Sequence, residues 1–300
     1  MADYNTHKEF GSGDRICYHG VLDMFRNPKL SAAVYASQKT PRSPSDIVLE
    51  VSSSMALGDH PGGFAGACWV FTNAESVRLY RGNDFIAEFT PDRRGRFAAL
   101  PHPPIEVQDF VGSLLEKYEG LDPVAAPQVA AILNEMRRDA LALSPLSRAR
   151  LLSLRLGWND LLRMYYKYIG VLGSPSSVYR FEAVWHGRAV RTVVKEPVQS
   201  VRLECTVLNP LLTDGPTWDC AAVSLRAIDQ NGNLLPYCGE AVQLSVEGPV
   251  KILGPSVVPL RGGMAGTYLA TTGEAGRAVL HCKMEGALDT EAALTVRKRG

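Results

Sequence analysis

The sequence predicts a mainly β protein with two β-sandwich domains and one helical insertion. Short apolar–polar alternations, separated by Gly, Asn and Pro turns, recur through most of the chain, which is typical of sandwich strands. Between about residues 105 and 173, apolar residues instead recur at the three- and four-residue intervals of helices. We therefore expect one sandwich over residues 46–200, with the helices inserted in it, and a second sandwich over residues 204–300.

The strand pattern is clear in both predicted sandwiches. SVRLYR in the first, and AVQLSVEGP with Val242, Leu244 and Val246 in the second, place apolar side chains on one face. The stretch DQNGN (229–233) predicts a hairpin turn because Asn-Gly readily supplies positive φ. The tryptophans Trp69, Trp185 and Trp218 lie in strand-like stretches, so we expect them in the core rather than on a sugar-stacking surface.

Three helix starts are indicated by a capping residue followed by proline. The capping side chain can accept hydrogen bonds from free backbone amides, and proline suits the first helical position, where no amide partner is needed. The three pairs are Asn27-Pro28, Asp122-Pro123 and Ser144-Pro145. The stretch KTPRSPSD, which follows the first of these helices, predicts a linker.

Composition excludes several classes of function. A net charge of +1 over 300 residues offers no bulk attraction to nucleic acid or to an acidic membrane. No apolar run approaches the roughly 20 residues of a membrane span, and no signal peptide is visible. Motifs for nucleotide, zinc or serine-hydrolase chemistry are missing, so we expect no cofactor, no metal site, and neither a nucleic-acid nor a membrane partner.

The six cysteines also form no metal-binding pattern. None lies in a CxxC pair or at zinc-finger spacing from histidine, and most lie in apolar, strand-like stretches. We expect reduced, buried thiols, and a disulfide framework is the less favoured alternative. Reduced cysteines of this kind indicate a cytoplasmic protein.

The first twenty residues, MADYNTHKEFGSGDRICYHG, are unusually rich in polar side chains for a chain terminus. Carboxylates, histidines, an asparagine and an arginine flank a glycine-rich break at Gly11 and Gly13. This composition is typical of the rim of a binding site. No pair of them has the spacing of a recognised catalytic motif.

The stretch MADYNTHKEFGSGDRICYHGVLDMFRNPKLSAAVYASQ resembles the end of the catalytic barrel in glycoside hydrolase family 2, the bacterial β-galactosidase and β-glucuronidase family. The matching positions are Asp3-Tyr4 and the segment Gly20, Asp23, Pro28 and Lys29, written GxxDxxxxPK. TNAESVRLYRGNDFIAEF and GGMAGTYLATTGEAGRAVL resemble strands of the immunoglobulin-like domains of the same enzymes. The resemblance implies that residues 1–40 are the last loop and helix of a truncated (β/α)8 barrel, followed by two immunoglobulin-like sandwiches.

This resemblance also implies an activity for the intact enzyme, namely retaining hydrolysis of O-glycosidic bonds in a carbohydrate substrate. Loops at the carboxyl ends of barrel strands carry the active site, which accounts for the polar opening. The residues expected to contact sugar are Asp3, Asn5, His7, Asp14 and Arg15. Both catalytic glutamates of the family come from earlier barrel strands, so we expect no catalytic residue here and no turnover by the chain alone.

Two alternatives remain open for function. The chain could be a stand-alone immunoglobulin-like module that binds carbohydrate or protein, or it could complement a separately encoded part of a barrel. A homo-oligomer formed through the immunoglobulin-like domains is a further expectation. The helical insertion is equally compatible with a lid, an oligomer contact or plain packing.

Overall fold

A computed structural model describes residues 1–5, 16–53, 55, 66–170 and 177–299 of the chain, without the Asn5 side chain. The chain divides into two compact units, one formed by Met1–Lys29 together with Val198–Gly300, and the other by Leu30–Pro197.

The secondary structure of the described residues is mainly β. The strands are β1 (Tyr4–Asn5), β2 (Ile16–Cys17), β3 (Leu49–Val51), β4 (Cys68–Thr72), β5 (Ser76–Arg81), β6 (Asp84–Phe89), β7 (Ile105–Val107), β8 (Tyr179–Trp185), β9 (Arg188–Lys195), β10 (Val201–Val207), β11 (Leu211–Asp214), β12 (Cys220–Ile228), β13 (Ala241–Glu247), β14 (Val250–Leu253), β15 (Val257–Pro259), β16 (Met264–Thr271), β17 (Gly276–Met284), β18 (Ala287–Leu288) and β19 (Thr290–Lys298). The α-helices are α1 (Leu30–Ala36), α2 (Leu114–Glu119), α3 (Ala125–Arg138), α4 (Pro145–Ser153) and α5 (Trp158–Tyr168). This composition confirms the mainly β fold class predicted from the sequence.

The unit that contains the C-terminal residues is a sandwich of two five-stranded sheets. Their strand orders are β14-β16-β12-β10-β18 and β11-β19-β17-β13-β15. Along β13 the side chains of Val242 and Leu244 are buried, whereas Gln243 and Ser245 are exposed. The inner faces of the two sheets form one continuous core, as the alternation in the sequence predicts.

The unit Leu30–Pro197 combines two smaller sheets with the helices. The sheet orders are β3-β4-β7 and β6-β5-β8-β9, and α2 to α5 follow β7 along the chain. Helix α3 buries Val129, Ile132, Leu133 and Met136 in the same core as Phe181 of β8. These buried positions follow the three- and four-residue spacing that predicts helices over residues 105–173, and α2, α3 and α5 share one core with both sheets. None of the helices in the described residues combines the length and apolarity that crossing a membrane requires.

Helix α2 is tied to α5 by the Glu119 carboxylate. It accepts hydrogen bonds from Arg163 at 2.9 Å, Lys167 at 2.6 Å and the Tyr168 hydroxyl at 2.8 Å. Burial alone would raise the pKa of Glu119, but these three donors lower it to about 2. The carboxylate thus stays ionised and holds the two helices together at neutral pH.

The three predicted helix starts have different outcomes. The Ser144 side chain accepts a hydrogen bond from the amide of Ser147 at the start of α4, as predicted. The Asp122 carboxylate likewise accepts hydrogen bonds from two amides at the start of α3. The prediction for Asn27 is wrong, because α1 begins at Leu30 and the Asn27 side chain binds the sandwich instead.

The tryptophan predictions hold only in part. Trp69 in β4 and Trp185 in β8 are half-buried. Trp185 packs against the core, and the Trp69 ring has an edge-on contact with Phe97. Trp218 is 62% exposed, so its predicted core position is wrong. It lies in the connection between β11 and β12 rather than in a strand.

Candidate functional site

The candidate site is a cavity of about 550 Å³ in the unit formed by Met1–Lys29 and Val198–Gly300. One wall is formed by the N-terminal residues, including Asp3, Tyr18, Phe25 and Lys29. The other is formed by residues of β14, β15 and β16 and their connections. The wall is largely apolar, and the charged side chains of Asp3, Lys29 and Arg261 lie at its polar end.

The loop at residues 23–27 shapes the N-terminal wall. Asp23 Oδ1 accepts hydrogen bonds from the amides of Phe25 and Asn27, each at 2.8 Å, and Oδ2 accepts one from Asn27 Nδ2 at 2.7 Å. Arg26 takes a left-handed backbone conformation with φ of +71°. The hydrogen bonds within the loop offset part of the strain that this conformation imposes on a residue with a side chain.

Asn27 fixes this loop to the sandwich. Its Nδ2 donates to the carbonyl oxygen of Ala265 in β16 at 2.9 Å, and its Oδ1 accepts from the Ser224 hydroxyl in β12. The side chain is 1% exposed. A buried amide with all of these partners satisfied makes a specific attachment point between segments far apart in the chain.

Phe25 supplies the aromatic part of the cavity wall. Its ring lies over β16 at Gly266, where a Cβ atom would lie 2.3 Å from Phe25 Cγ. The ring of Tyr268 in the same strand is 5.7 Å away, centroid to centroid. Glycine at position 266 is therefore required for the aromatic ring to reach the strand.

The polar end of the cavity is a network around Asp3. The Lys29 ammonium donates to Asp3 Oδ1 at 2.7 Å and to the Tyr18 carbonyl oxygen at 3.0 Å. The amide of Gly20 donates to the same Asp3 oxygen at 2.8 Å, and the Asp3 side chain is 3% exposed. Arg261 donates to the Tyr18 hydroxyl. Removing one partner of such a buried ion pair is costly, because the other charge is left uncompensated.

Both carboxylates of the described cavity lining accept hydrogen bonds from backbone amides. Asp3 holds the amide of Gly20, and Asp23 holds the amides of its own loop. The cavity is lined by two cations and a phenol as well as by the Phe25 ring, which suits a ligand with both hydroxyl groups and an apolar face. In the part of the chain that the structure describes, no group of three metal-ligating side chains is close enough to hold an ion.

The structure places two of the five predicted sugar-contacting residues. Asp3 lines the cavity, and Asn5 in β1 is the register partner of Ile16, which also lines it. His7, Asp14 and Arg15 lie outside the described residues. The predicted role in sugar contact stays a prediction for all five.

Four residues that organise the site were not predicted from the sequence to have a role in it, although two of them were named as a helix cap and as part of a motif. These are Tyr18, Asn27, Lys29 and Arg261. Lys29 belongs to the GxxDxxxxPK segment, so that segment was a usable signal for the Asp3 ion pair. Arg261 is distant in sequence and has no local signal.

The chain is similar to β-galactosidases over most of its length. It is 30% identical to the β-galactosidase of Thermoanaerobacterium thermosulfurigenes over 264 residues, which are 87% of this chain and 29% of that protein. It is 29% identical to the β-galactosidase of Thermoanaerobacter pseudethanolicus over 281 residues, 94% of this chain and 30% of that protein. The chain thus spans less than a third of the length of these relatives. No family model matches it.

Solved glycosidase structures share the fold. A β-glycosidase from Bacteroides vulgatus matches with a TM-score of 0.58 at 14% identity, covering 98% of this chain and 30% of that one. A β-glucuronidase from glycoside hydrolase family 2 matches with a TM-score of 0.55 at 13% identity, covering 100% of this chain and 25% of that one. At this level of identity the structural matches show the fold alone.

Proposed function

Because the chain is a glycoside hydrolase family 2-like protein, we propose that these residues work as part of a β-galactosidase-like enzyme. That enzyme hydrolyses O-glycosidic bonds with retention of anomeric configuration. The 300 residues contribute sandwich domains and one wall of the substrate site. The two catalytic glutamates are contributed by residues outside these 300.

Both carboxylates of the described cavity lining are bound to backbone amides, which supports catalytic carboxyl groups that lie outside these 300 residues. Retaining hydrolysis needs two carboxyl groups about 5 Å apart, one as nucleophile and one as acid and base. Asp3 shares its oxygen between Lys29 and Gly20, and Asp23 closes its own loop. In their place we propose that Asp3 positions Lys29 and the surrounding backbone at the rim of the sugar site.

The residues Asn5, His7, Asp14 and Arg15 are proposed to contact sugar hydroxyls directly, and Asp3 to do so through its ion-pair partner Lys29. For Asp3 and Asn5 the support is their place on or beside the cavity wall. For His7, Asp14 and Arg15 it is the sequence resemblance alone. The apolar wall with Phe25 fits the apolar face of a pyranose ring.

The first test is an assay of the purified 300-residue chain on nitrophenyl β-galactoside and nitrophenyl β-glucuronide. We expect no turnover above buffer, with the Thermoanaerobacterium thermosulfurigenes enzyme as the active control. Turnover that Asp14→Asn abolishes would contradict the proposal, since it would place catalysis in this chain.

The second test is a chimera of that enzyme in which this chain replaces the matching segment. We expect hydrolysis of the β-galactoside, and we expect Lys29→Met to lower kcat/KM by about tenfold or more because the Asp3 ion pair is lost. The exposed Lys298→Met is the matched control and should leave kcat/KM unchanged. A folded chimera without hydrolysis would contradict the proposed role.

A further inference from the structure

Two cysteine thiols meet between the facing sheets of the C-terminal sandwich. Cys205 lies on β10 and Cys282 on β17, which belong to different sheets. Their sulfur atoms are 3.6 Å apart, although 77 positions separate the residues in sequence. Both side chains lie on the inner faces of their sheets, so their sulfurs point at each other across the core.

We propose that Cys205 and Cys282 form a disulfide-forming site that is oxidised by a small-molecule disulfide. The resulting bond would join the two sheets covalently. This inference concerns the sandwich alone and is independent of the proposed hydrolase activity. It also revises the expectation of reduced thiols for this one pair among the six cysteines.

The two thiols differ in the way that exchange chemistry requires. The Cys282 thiol donates a hydrogen bond to the Cys205 sulfur, which lowers the pKa of Cys205 and raises the pKa of Cys282. A lowered pKa enriches the thiolate, which is the attacking form. Cys205 is therefore the first nucleophile and Cys282 the second.

Access to the pair follows from the strand order. In the described residues, β18 pairs with β10 only at Val201 and Arg202, so Cys205 lies on a part of β10 that has β12 alone beside it. Cys205 is half-buried there, whereas Cys282 is fully buried between β13 and β19. A small disulfide can thus reach Cys205 from the sandwich edge and cannot reach Cys282 first.

The exchange balances in two steps. The Cys205 thiolate attacks one sulfur of the reagent, its S–S bond breaks, and one reagent thiol leaves with a proton. The Cys282 sulfur, losing its proton to the second leaving group, then attacks Cys205 Sγ and breaks the mixed disulfide. Two protein thiols are oxidised and one reagent disulfide is reduced to two thiols.

The test uses oxidised glutathione on the full chain, followed by alkylation, intact-mass measurement and peptide mapping. We expect the mass to fall by two hydrogens, with a crosslinked peptide that contains Cys205 and Cys282. Because the bond closes a long loop, the sandwich should gain at least about 5 °C in Tm, and a reducing thiol should reverse the gain.

Variants separate the pair from ordinary thiol reactivity. Cys205→Ser should abolish both the crosslink and the Tm gain, while Cys238→Ser, which removes another half-buried thiol, should leave both unchanged. Two results would overturn the proposal. One is a stable glutathione adduct on Cys205 with Cys282 still free for alkylation, and the other is recovery of both residues as thiols.

Discussion

Two loops of the same structural unit, residues 23–27 and 229–233, have the same hydrogen-bond pattern in different surroundings. In each, Oδ1 of the first aspartate accepts from the amides two and four residues later, at 2.8–2.9 Å. Oδ2 accepts from the side chain of the closing asparagine, at 2.7 Å in one loop and 2.8 Å in the other. An antiparallel bridge joins the residues on either side of each loop, Leu22 with Pro28 and Ile228 with Leu234.

The loops differ at the fourth residue and in what holds the fifth. The left-handed fourth position is Gly232 in one loop, with φ of +80°, and Arg26 in the other, with φ of +71°. Asn27 is buried against β12 and β16, whereas Asn233 is half-buried. Glycine lets the later loop adopt this turn without strain, whereas contacts to β12 and β16 stabilise the same conformation where an arginine strains it.

The largest expected effect is that of Asn27→Ala. It leaves the carbonyl of Ala265 and the hydroxyl of Ser224 without this partner in a buried place, so we expect a loss of about 2–4 kcal/mol in the free energy of unfolding. The matched Asn233→Ala removes the equivalent bond within the later loop and should cost about 1 kcal/mol. Amide hydrogen exchange of β12 and β16 in the full chain measures both losses.

Equal losses for the two asparagine variants would contradict the role of Asn27 as an attachment point. In that case the intra-loop bond to the aspartate would account for the whole effect, and the contacts to β12 and β16 would contribute nothing measurable.

The next effect isolates one of those contacts. Ser224→Ala removes the hydroxyl that donates to Asn27 Oδ1, and we expect a loss of about 1–2 kcal/mol. In the Asn27→Ala background the same change should cost little, because its partner is already gone. The double-mutant cycle in hydrogen exchange measures this coupling, and the exposed Ser245→Ala serves as the control. Additive losses would show that Ser224 stabilises the sandwich without Asn27.

The same pair of loops shows how far the sequence could predict the structure. The turn at 229–233 was predicted because Asn-Gly signals positive φ, and Gly232 has that conformation. The predicted strand hairpin is wrong, since β12 and β13 lie in different sheets and only the bridge of Ile228 with Leu234 flanks the turn. The loop at 23–27 has the same aspartate and asparagine but no glycine, and Asn27 before a proline matched the pattern of a helix cap instead. Its actual partner, Ala265, is 238 positions away, and no local pattern encodes such a contact.

The fold could be predicted better than the site, because the fold follows local patterns whereas the site depends on long-range contacts. Alternation along β13 and the helical spacing of α3 report which face is buried, so both elements were predicted from neighbouring residues. Asp3 was named as a site residue because of the family resemblance of the first forty residues. Its ion pair with Lys29, and the contact of Tyr18 with Arg261, depend on how distant segments meet.

The smallest expected effect compares the fourth residues directly. Arg26→Gly removes the cost of a side chain in the left-handed region, and we expect a gain of about 0.5–1 kcal/mol in the free energy of unfolding. Gly232→Ala introduces that cost and should lose about 1 kcal/mol, since a Cβ there meets no atom within 4 Å and steric clash plays no part. Amide hydrogen exchange of β12 and β16 in the full chain measures both changes.

We expect the free energy of unfolding to rise in Arg26→Gly and to fall in Gly232→Ala. Opposite signs would show that both loops have the same left-handed conformation, which glycine allows in one and tertiary contacts stabilise in the other. A loss on Arg26→Gly would instead mean that the exposed Arg26 side chain itself stabilises the loop by more than the backbone strain costs. The contacts of Asn27 would then contribute less to the stability of the loop than its hydrogen bonds suggest. The two loops would share a hydrogen-bond pattern but differ in the interactions that stabilise them.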